Sequence, residues 1–214
     1  MNMQASEQTI YVVDDDEAFR DSLQWLLESN DFQVKVFSCA KDFLESCSFE
    51  KPGCLVIDIR MPEMTGLELQ QTLNREGIRT PVIFVTGHGD IPMAVSAVKN
   101  GAIDFIEKPF NENSMLELIG GALLLDAKRR EEGEQQAVIY SRLAKLTARE
   151  VEVMECVVAG KTNKLIADQL GITVKTVEAH RSKVMDKMKV NSVAELVQLV
   201  ADKRLEDFKD ENQL

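Results

Sequence analysis

The first half of the sequence alternates short β-branched or apolar runs with segments of helical periodicity, and no other feature restricts the fold as much. There are five such runs, at Thr9–Val13, Val34–Phe37, Cys54–Ile57, Val82–Val85 and Asp104–Ile106. Between them, apolar residues such as Phe19, Leu23 and Leu26 recur at the spacing of one helix face. Because parallel strands need helical crossovers, five β/α repeats predict an α/β fold with a (βα)5 doubly wound parallel sheet.

Polar residues directly follow four of the five runs. Asp14 and Asp15 come after the first run, Asp58 after the third, Thr86 after the fourth and Lys108 after the fifth. Ligands of doubly wound sheets bind at the carboxyl ends of the strands, where these residues would meet. Converging carboxylates repel one another, and a cation that prefers oxygen ligands, such as Mg²⁺, relieves the repulsion. The sequence therefore predicts an acidic Mg²⁺ site at this edge of the sheet.

The same residues suit phosphoryl chemistry. The ammonium of Lys108 and the hydroxyl of Thr86 can contact phosphate oxygens, as a reaction driven by positioning and charge neutralisation requires. Asp58 stands alone at the end of its strand and is the predicted nucleophile. Taken singly, an Asp-Asp-Asp run after a strand is more often a turn or a helix N-cap. The complete set at the required strand ends favours the phosphoryl site.

Four motifs carry a resemblance to the receiver domain of two-component response regulators. They are V-V-D-D-D, I-D-I-R-M-P-x-M-T-G, V-I-F-V-T-G-H-G-D and F-I-E-K-P-F, and the resemblance covers residues 9 to about 125. It implies a flavodoxin-like fold and Asp58 as the site of an aspartyl phosphate. It also implies that Asp15, Asp58 and the backbone carbonyl of Arg60 bind Mg²⁺ directly, with Asp14 acting through water.

The resemblance further implies how the domain would change conformation on phosphorylation. Thr86 and Phe105 would form a switch pair, in which Thr86 moves toward the phosphate and Phe105 rotates into the vacated space. The peptide bond between Lys108 and Pro109 would be cis. The phosphoryl donor would be a sensor histidine kinase. These expectations define a domain whose two states differ through a local charge event.

The second half of the sequence has helical patterns and no strand pattern. We expect a receiver domain over residues 1–125, a solvated helical linker of mixed charge over 126–142 and a small all-α four-helix domain over 143–214. Thr147 and Glu150 have the spacing of a capping box. The predicted helices begin at Thr147, Thr162, Thr173 and Ser192.

Two of these helices have the arrangement of a helix-turn-helix. A short turn containing Gly171 joins the second helix to a third one over Thr173–Lys187. The third helix would enter the major groove of DNA. Its residues Val174, Val177 and Val184 are predicted to form a buried stripe, and its remaining surface is mostly polar and basic. Spacing alone favours a protein-binding three-helix bundle equally.

The net charge of −11 hides one basic block. Residues 142–190 contain 10 Lys and Arg against 6 Asp and Glu, which gives +4. The other segments are acidic. A local positive patch is what contacts with DNA phosphates need, so the chain average does not exclude DNA binding.

The segments L-T-A-R-E-x-E-V and G-K-T-N-K-L-I-A-x-x-L-G-I-T-x-K-T-V-E-x-H-R-x-x-V-M-x-K-M resemble the LuxR-type DNA-binding domain. Together with the receiver, they place the resemblance in the NarL/FixJ subfamily. By position, the base-facing residues would be Glu178, Ala179 and Ser182. The phosphate or mixed contacts would be Lys175, Thr176, Arg181 and Lys183. Asn163 and Lys164 would hold a phosphate at a helix N-terminus.

These features predict a transcriptional response regulator, working as an activator, and not an enzyme. Its partners would be a sensor histidine kinase, double-stranded promoter DNA and RNA polymerase, and phosphorylation would favour a homodimer. An aspartyl-phosphate phosphatase would instead need an Asp-x-Asp loop and a cap, whereas Asp58 lies in D-I-R. A DNA-binding regulator that works without phosphorylation is the other alternative.

Composition indicates which metal sites and cellular compartments are expected. Four cysteines without C-x-x-C spacing and two distant histidines give no support for a zinc site. The polar N-terminus lacks a signal-peptide pattern, and no stretch of 18 apolar residues occurs. We therefore expect a cytoplasmic protein that does not enter a membrane.

Overall fold

The computed structural model describes residues 8–46, 53–87 and 91–201. The chain divides into two compact units, residues 1–131 and 132–214. Each unit is described by itself below. Residues 202–214, which belong to the predicted C-terminal domain, lie outside the described part.

The first unit is built on a parallel sheet of five strands. They are β1 (Thr9–Val13), β2 (Gln33–Phe37), β3 (Gly53–Asp58), β4 (Val82–Thr86) and β5 (Asp104–Glu107). Their order is β2-β1-β3-β4-β5, and every neighbouring pair is parallel. This confirms the doubly wound, flavodoxin-like fold, because the chain reverses its winding direction after β2.

Five helices accompany these strands within residues 8–46, 53–87 and 91–143. They are α1 (Glu17–Glu28), α2 (Ala40–Ser46), α3 (Gly66–Arg75), α4 (Ile91–Lys99) and α5 (Glu112–Leu143). Buried residues of α1 and α5 form one apolar cluster with Val12 and Val56. Buried residues of α2, α3 and α4 form a second cluster with Ile57 and Phe84. The sheet is therefore covered on both faces, as its apolar strands require.

Strand periodicity assigns the residues at the carboxyl ends to different faces. Successive side chains of a strand alternate, so Asp14 continues the face of Val12, and Asp58 continues the face of Val56. That face is the one covered by α1 and α5. Thr86 instead continues the face of Phe84, which packs with α2, α3 and α4.

In the described part of the second unit, four helices follow the end of α5. They are α6 (Ala148–Val158), α7 (Asn163–Leu170), α8 (Val174–Met188) and α9 (Val193–Ala201). Thr147, Thr162 and Thr173 are the N-caps of α6, α7 and α8, as predicted. Glu150 completes the capping box of α6. The hydroxyl of Ser192 accepts a hydrogen bond from the amide of Glu195, which confirms the last predicted cap.

The predicted linker, residues 126–142, lies within α5. Its first residue was expected to be solvated, but Asp126 is only 3% exposed. The Oδ2 atom of Asp126 accepts hydrogen bonds from the amide of Gly53 at 2.9 Å and from Arg130 Nε at 2.8 Å. A buried carboxylate needs such partners, and the bond from Gly53 attaches α5 to the start of β3.

We predict that Gly66→Ala strongly destabilises the first unit. An added Cβ would lie 2.3 Å from the carbonyl oxygen of Asp58 and 3.0 Å from Cε1 of Phe84. Such overpacking costs about 2 kcal/mol or more of unfolding free energy. Differential scanning calorimetry of the full chain should show a fall in Tm of several degrees.

Gly121→Ala is the matched control, because Gly121 is an exposed residue of α5 in the same unit and nothing lies within 4 Å of its Cβ position. This substitution should be neutral or stabilise the chain by up to about 1 kcal/mol through helix propensity. Equal Tm values for the two variants would contradict the steric argument.

Candidate functional site

A cavity of about 330 Å³ lies at the carboxyl ends of the strands in the first unit. The residues that line it are Asp14, Asp15, Asp16, Asp58, Ile59, Arg60, Thr86, Gly87 and Lys108. All the predicted phosphorylation and metal residues therefore meet at one place. The structure brings them together from four strands and the loops that follow them.

The ammonium of Lys108 joins the two buried carboxylates of this cavity. Lys108 Nζ lies 2.6 Å from Asp14 Oδ2 and 3.1 Å from Asp58 Oδ1. Asp14 is 1% exposed and Asp58 is 9% exposed. The lysine thus neutralises charge that would otherwise be buried at high free-energy cost.

Backbone hydrogen bonds fix the remaining atoms of these side chains. The amide of Arg60 donates to Asp58 Oδ2 at 2.6 Å, and the amide of Asp16 donates to Asp14 Oδ1 at 2.9 Å. The amide of Lys108 donates to the carbonyl of Thr86 at 2.7 Å. The peptide bond between Lys108 and Pro109 is cis, as the sequence predicted.

The electrostatic environment favours a charged lysine beside an aspartate of reduced acidity. Burial raises the pKa of Asp58, an effect that the charge of Lys108 opposes and that of Asp14 reinforces. Burial alone would lower the pKa of Lys108, but hydrogen bonding and charge from Asp14, and then from Asp58, outweigh it and raise that pKa.

The donor set of the cavity fits Mg²⁺ in chemistry. Three carboxylates, those of Asp14, Asp15 and Asp58, line the same space, and Asp15 is exposed. Hard cations prefer such oxygen ligands. Among the described residues, however, no group of three or more His, Cys, Asp or Glu side chains is gathered closely enough to hold a metal ion. The ammonium of Lys108 lies where two of the carboxylates would converge on a cation.

The predicted switch residues lie on neighbouring strands and on one face of the sheet. Phe105 pairs with Phe84 in the register of β4 and β5, and Thr86 is two residues further along β4. Phe105 is half-buried and packs against the apolar cluster of that face. Thr86 is buried, and its hydroxyl donates to the carbonyl of Gly87 at 3.2 Å.

The sequence did not indicate a role for Phe19 or Arg20 at this site. The ring centroid of Phe19 lies 3.7 Å from Lys108 Nζ. Arg20 donates to the carbonyl oxygen of Asp14 at 2.7 Å. Both residues follow the Asp-Asp-Asp run within the first turn of α1, and this proximity was the only available signal.

The second unit has the predicted helix-turn-helix. Gly171, with φ of 64°, ends α7 in the left-handed conformation that favours glycine, and Thr173 begins α8 two residues later. Most of the predicted DNA contacts are exposed. These exposed residues are Lys164, Lys175, Glu178, Ala179, Ser182 and Lys183.

Other residues that were predicted to contact DNA form hydrogen bonds or close contacts within the unit. Arg181 is half-buried and donates to Asn163 Oδ1 at 2.9 Å, which joins α8 to the first turn of α7. The hydroxyl of Thr176 lies 2.8 Å from that of Thr173.

One residue of the predicted buried stripe of α8 is placed differently. Val177 and Val184 are buried, but Val174 is 41% exposed, so its assignment to the stripe was wrong. Val174 is the first residue of α8, and the core of the unit includes this helix only from Val177 onward.

An ion pair fastens α8 to α6. Glu150 Oε2 accepts from Lys187 Nζ at 2.6 Å, and the Glu150 side chain is only 4% exposed. Lys187 also donates to the carbonyl of Lys145 at 3.0 Å. The hydrogen bond from Lys187 lowers the pKa of Glu150, and the amide of Thr147 adds to this effect. The orientation of α8 therefore depends on a charged contact at its last turn.

A search of the described helices finds no segment with the length and apolar character needed to cross a membrane.

Comparison with known families identifies both units. The response regulator receiver domain matches residues 10–120, and the LuxR family of bacterial regulatory proteins matches residues 144–200. The chain is 44% identical to the response regulator protein TmoT of Ectopseudomonas mendocina over 206 residues, which cover 96% of this chain and 93% of TmoT. It is 43% identical to the transcriptional regulatory protein FixJ of Azorhizobium caulinodans over 190 residues, 89% of this chain and 90% of FixJ.

Solved structures agree with these matches. The response regulator StyR matches with a TM-score of 0.83 and 45% identity, over 92% of this chain and 100% of that chain. Full-length FixJ from B. japonicum matches with a TM-score of 0.56 and 42% identity, over 90% of this chain and 95% of that chain. The resemblance that the motifs indicated is confirmed.

We predict that Glu150→Gln destabilises the second unit by about 1–2 kcal/mol at neutral pH, because it removes a charge-assisted hydrogen bond. The pKa of Glu150 is lowered from 4.5 in the folded chain, so the stabilisation is complete above pH 4.5 and is lost as the pH falls through the lower folded value. Urea denaturation of both proteins at several pH values measures the difference.

Glu152→Gln is the matched control. Glu152 pairs with Arg149 on the surface, with side chains 49% and 36% exposed. Such pairs contribute less than about 1 kcal/mol. A Glu150→Gln deficit that stayed constant down to pH 3 would contradict the assignment.

Proposed function

The chain belongs to the two-component response regulators that combine a receiver domain with a LuxR-type DNA-binding domain, and from this we propose that phosphorylation of Asp58 controls DNA binding by α7 and α8. The observation that carries the proposal is the convergence of Asp14, Asp58 and Lys108 in one cavity at the ends of β1, β3 and β5.

Asp58 is the proposed acceptor. One carboxylate oxygen of Asp58 bonds to phosphorus while the bond between phosphorus and the donor nitrogen of a sensor histidine kinase breaks. The histidine leaves and takes up a proton. The other oxygen of Asp58 stays fixed by the amide of Arg60 at 2.6 Å, which orients the nucleophile.

Asp14, Asp15, Asp58 and the carbonyl of Arg60 are the groups that would hold Mg²⁺. When bound, this ion supplies positive charge for the incoming phosphoryl oxygens. Lys108 would then leave Asp14 and Asp58 and donate to a phosphoryl oxygen. The hydroxyl of Thr86, which lines the same cavity, would donate to another.

Thr86 and Phe105 are the proposed relay to the rest of the chain. Movement of Thr86 toward the phosphoryl group opens space on the face that it shares with Phe105. Phe105, which is only half-buried, can fill that space by rotation. The local charge event thereby biases a packed element between two arrangements.

The second unit is the proposed reader of promoter DNA. Glu178, Ala179 and Ser182 are exposed on α8 and would face base edges. Lys164, Lys175 and Lys183 would contact phosphates, and Thr176, Arg181 and Asn163 would support them. We expect phosphorylation to favour a homodimer on a two-fold DNA site, where the protein activates transcription by RNA polymerase.

We predict that acetyl phosphate and Mg²⁺ raise the DNA affinity of the wild type by about tenfold, the size of an ordinary coupling free energy. Asp58→Ala should show no gain, because the acceptor oxygen is missing. Binding to duplexes selected from a random pool is measured by fluorescence anisotropy, and oligomeric state by analytical ultracentrifugation.

Asp21→Ala is the control for this experiment, since Asp21 is an exposed acid of α1 outside the cavity. It should respond as the wild type does. If Asp58→Ala also gains affinity and forms the same species as the wild type, Asp58 is not the switch.

We predict different signatures for α8 residues of different roles. Lys183→Ala should weaken binding to all sequences alike and reduce the salt dependence by about one released counterion, as loss of one phosphate contact does. Glu178→Ala should relax selectivity at one base pair by about 1–3 kcal/mol. Competition binding at several salt concentrations separates the two effects.

Lys145→Ala is the control, because Lys145 is an exposed lysine of the same unit outside α7 and α8. Lys145→Ala should change neither the salt dependence nor the base-pair selectivity of DNA binding. A Lys183→Ala variant with altered base preference would show that the proposed docking orientation of α8 is wrong.

A further inference from the structure

The ring of Phe19 contacts the lysine of the phosphorylation site directly. Lys108 Nζ lies 3.7 Å from the ring centroid, while the same ammonium donates to Asp14 and Asp58. The face of a benzene ring carries negative electrostatic potential and attracts cations within about 6 Å of its centroid. The ammonium is therefore held by two carboxylates and one aromatic face.

Neighbouring groups hold the ring of Phe19 in place. The side chain of Asp16, the N-cap of α1, accepts from the amide of Phe19 at 3.2 Å. The ring of Phe110 meets that of Phe19 edge-on, at a centroid distance of 5.9 Å and an interplanar angle of 88°. Both rings are half-buried against the apolar cluster of α1 and α5. The aromatic face is thus oriented before any ligand binds.

A purely apolar role would not account for this arrangement. The other residues with which α1 enters the cluster are aliphatic, namely Leu23, Leu26 and Leu27. A leucine at position 19 could also supply apolar surface to that cluster. Only an aromatic side chain presents a negative face to the ammonium of Lys108.

We propose that Phe19 is a positioning residue that stabilises the Lys108 bridge and thereby opposes the release of this ammonium from Asp14 and Asp58. This inference rests on the proposed function, in which Mg²⁺ and then a phosphoryl group take over those carboxylates. Phe19 sets how strongly the lysine competes with the metal ion.

The first test is Mg²⁺ binding by isothermal titration calorimetry. Phe19→Leu weakens the lysine bridge, so Mg²⁺ should bind about three- to tenfold more tightly than in the wild type. Simple packing damage would loosen the site and lower Mg²⁺ affinity, so the sign separates the two explanations. Phe19→Tyr retains the aromatic face and should behave as the wild type does.

A graded series makes the test independent of side-chain volume. Replacing Phe19 by mono-, di- and trifluorophenylalanine progressively removes the negative potential of the ring with little change of shape. Mg²⁺ affinity should rise in that order. In a Lys108→Met background the series should have no effect, because a double-mutant cycle isolates the contact between the two side chains.

A second readout needs no metal ion. Ring currents should shift the Cε protons of Lys108 upfield in the NMR spectrum of the wild type, and Phe19→Leu should abolish the shift. The absence of this shift in the wild type would overturn the proposal. It would also be overturned if the wild type did not bind Mg²⁺, if affinity were constant across the series, or if the trend persisted in Lys108→Met.

Phosphorylation is measured separately, as the mass gain of the intact chain with acetyl phosphate. If the NMR shift and the affinity series behave as expected but no phosphoryl group is found on Asp58, the proposed function fails and the role of Phe19 stands. If Asp58 is phosphorylated but the series shows no trend, only the role of Phe19 fails.

Discussion

The contact of the Lys108 ammonium with Asp14 and Asp58 is the constraint on which the first unit depends. These carboxylates end β1 and β3, whereas Lys108 follows β5 at the edge of the sheet. Neighbouring strands are about 4.8 Å apart, so the lysine must extend across β4 to reach them. Its long aliphatic stem makes this possible, and the hydrogen bond from its backbone amide to the carbonyl of Thr86 fixes where the stem begins. A shorter cation at this position could not neutralise both acids.

The residues of the cavity come from both faces of the sheet. Asp14, Asp58 and Lys108 belong to the face covered by α1 and α5, and Phe19 is on α1. Thr86 and Phe105 belong to the opposite face, with α2, α3 and α4. A change of charge on Asp58 can therefore affect the second face only through a group that reaches around the end of the sheet. Thr86 lines the cavity from that side, which makes it the natural connection.

Short sequence patterns predicted most of the fold and most of the residues that line the site. Strand runs, N-caps such as Thr147 and the polar residues after each strand depend on nearby sequence, so they can be read without a structure. The contact of Phe19 with Lys108 could not be predicted, because it joins residues that are distant in sequence and an apolar residue on a helix face suggests only burial. The exposure of Val174 and the burial of Asp126 were missed for the same reason, since residue type alone does not show where a core ends.

Several cations of the second unit form bonds within the unit, which limits the positive charge that a single chain can offer to DNA. Among its described cations, Arg181 donates to Asn163, Lys187 to Glu150 and Arg149 to the carbonyl of Leu170. These bonds hold α6, α7 and α8 in place, so the donors of these cations are partly used within the fold. In the proposed DNA complex, the exposed lysines of α7 and α8 would provide the contacts to phosphates. Because affinity for DNA rises steeply with the number of phosphates neutralised, two copies on a two-fold site would bind far more tightly than one. The internal use of these cations therefore supports the proposed dimer.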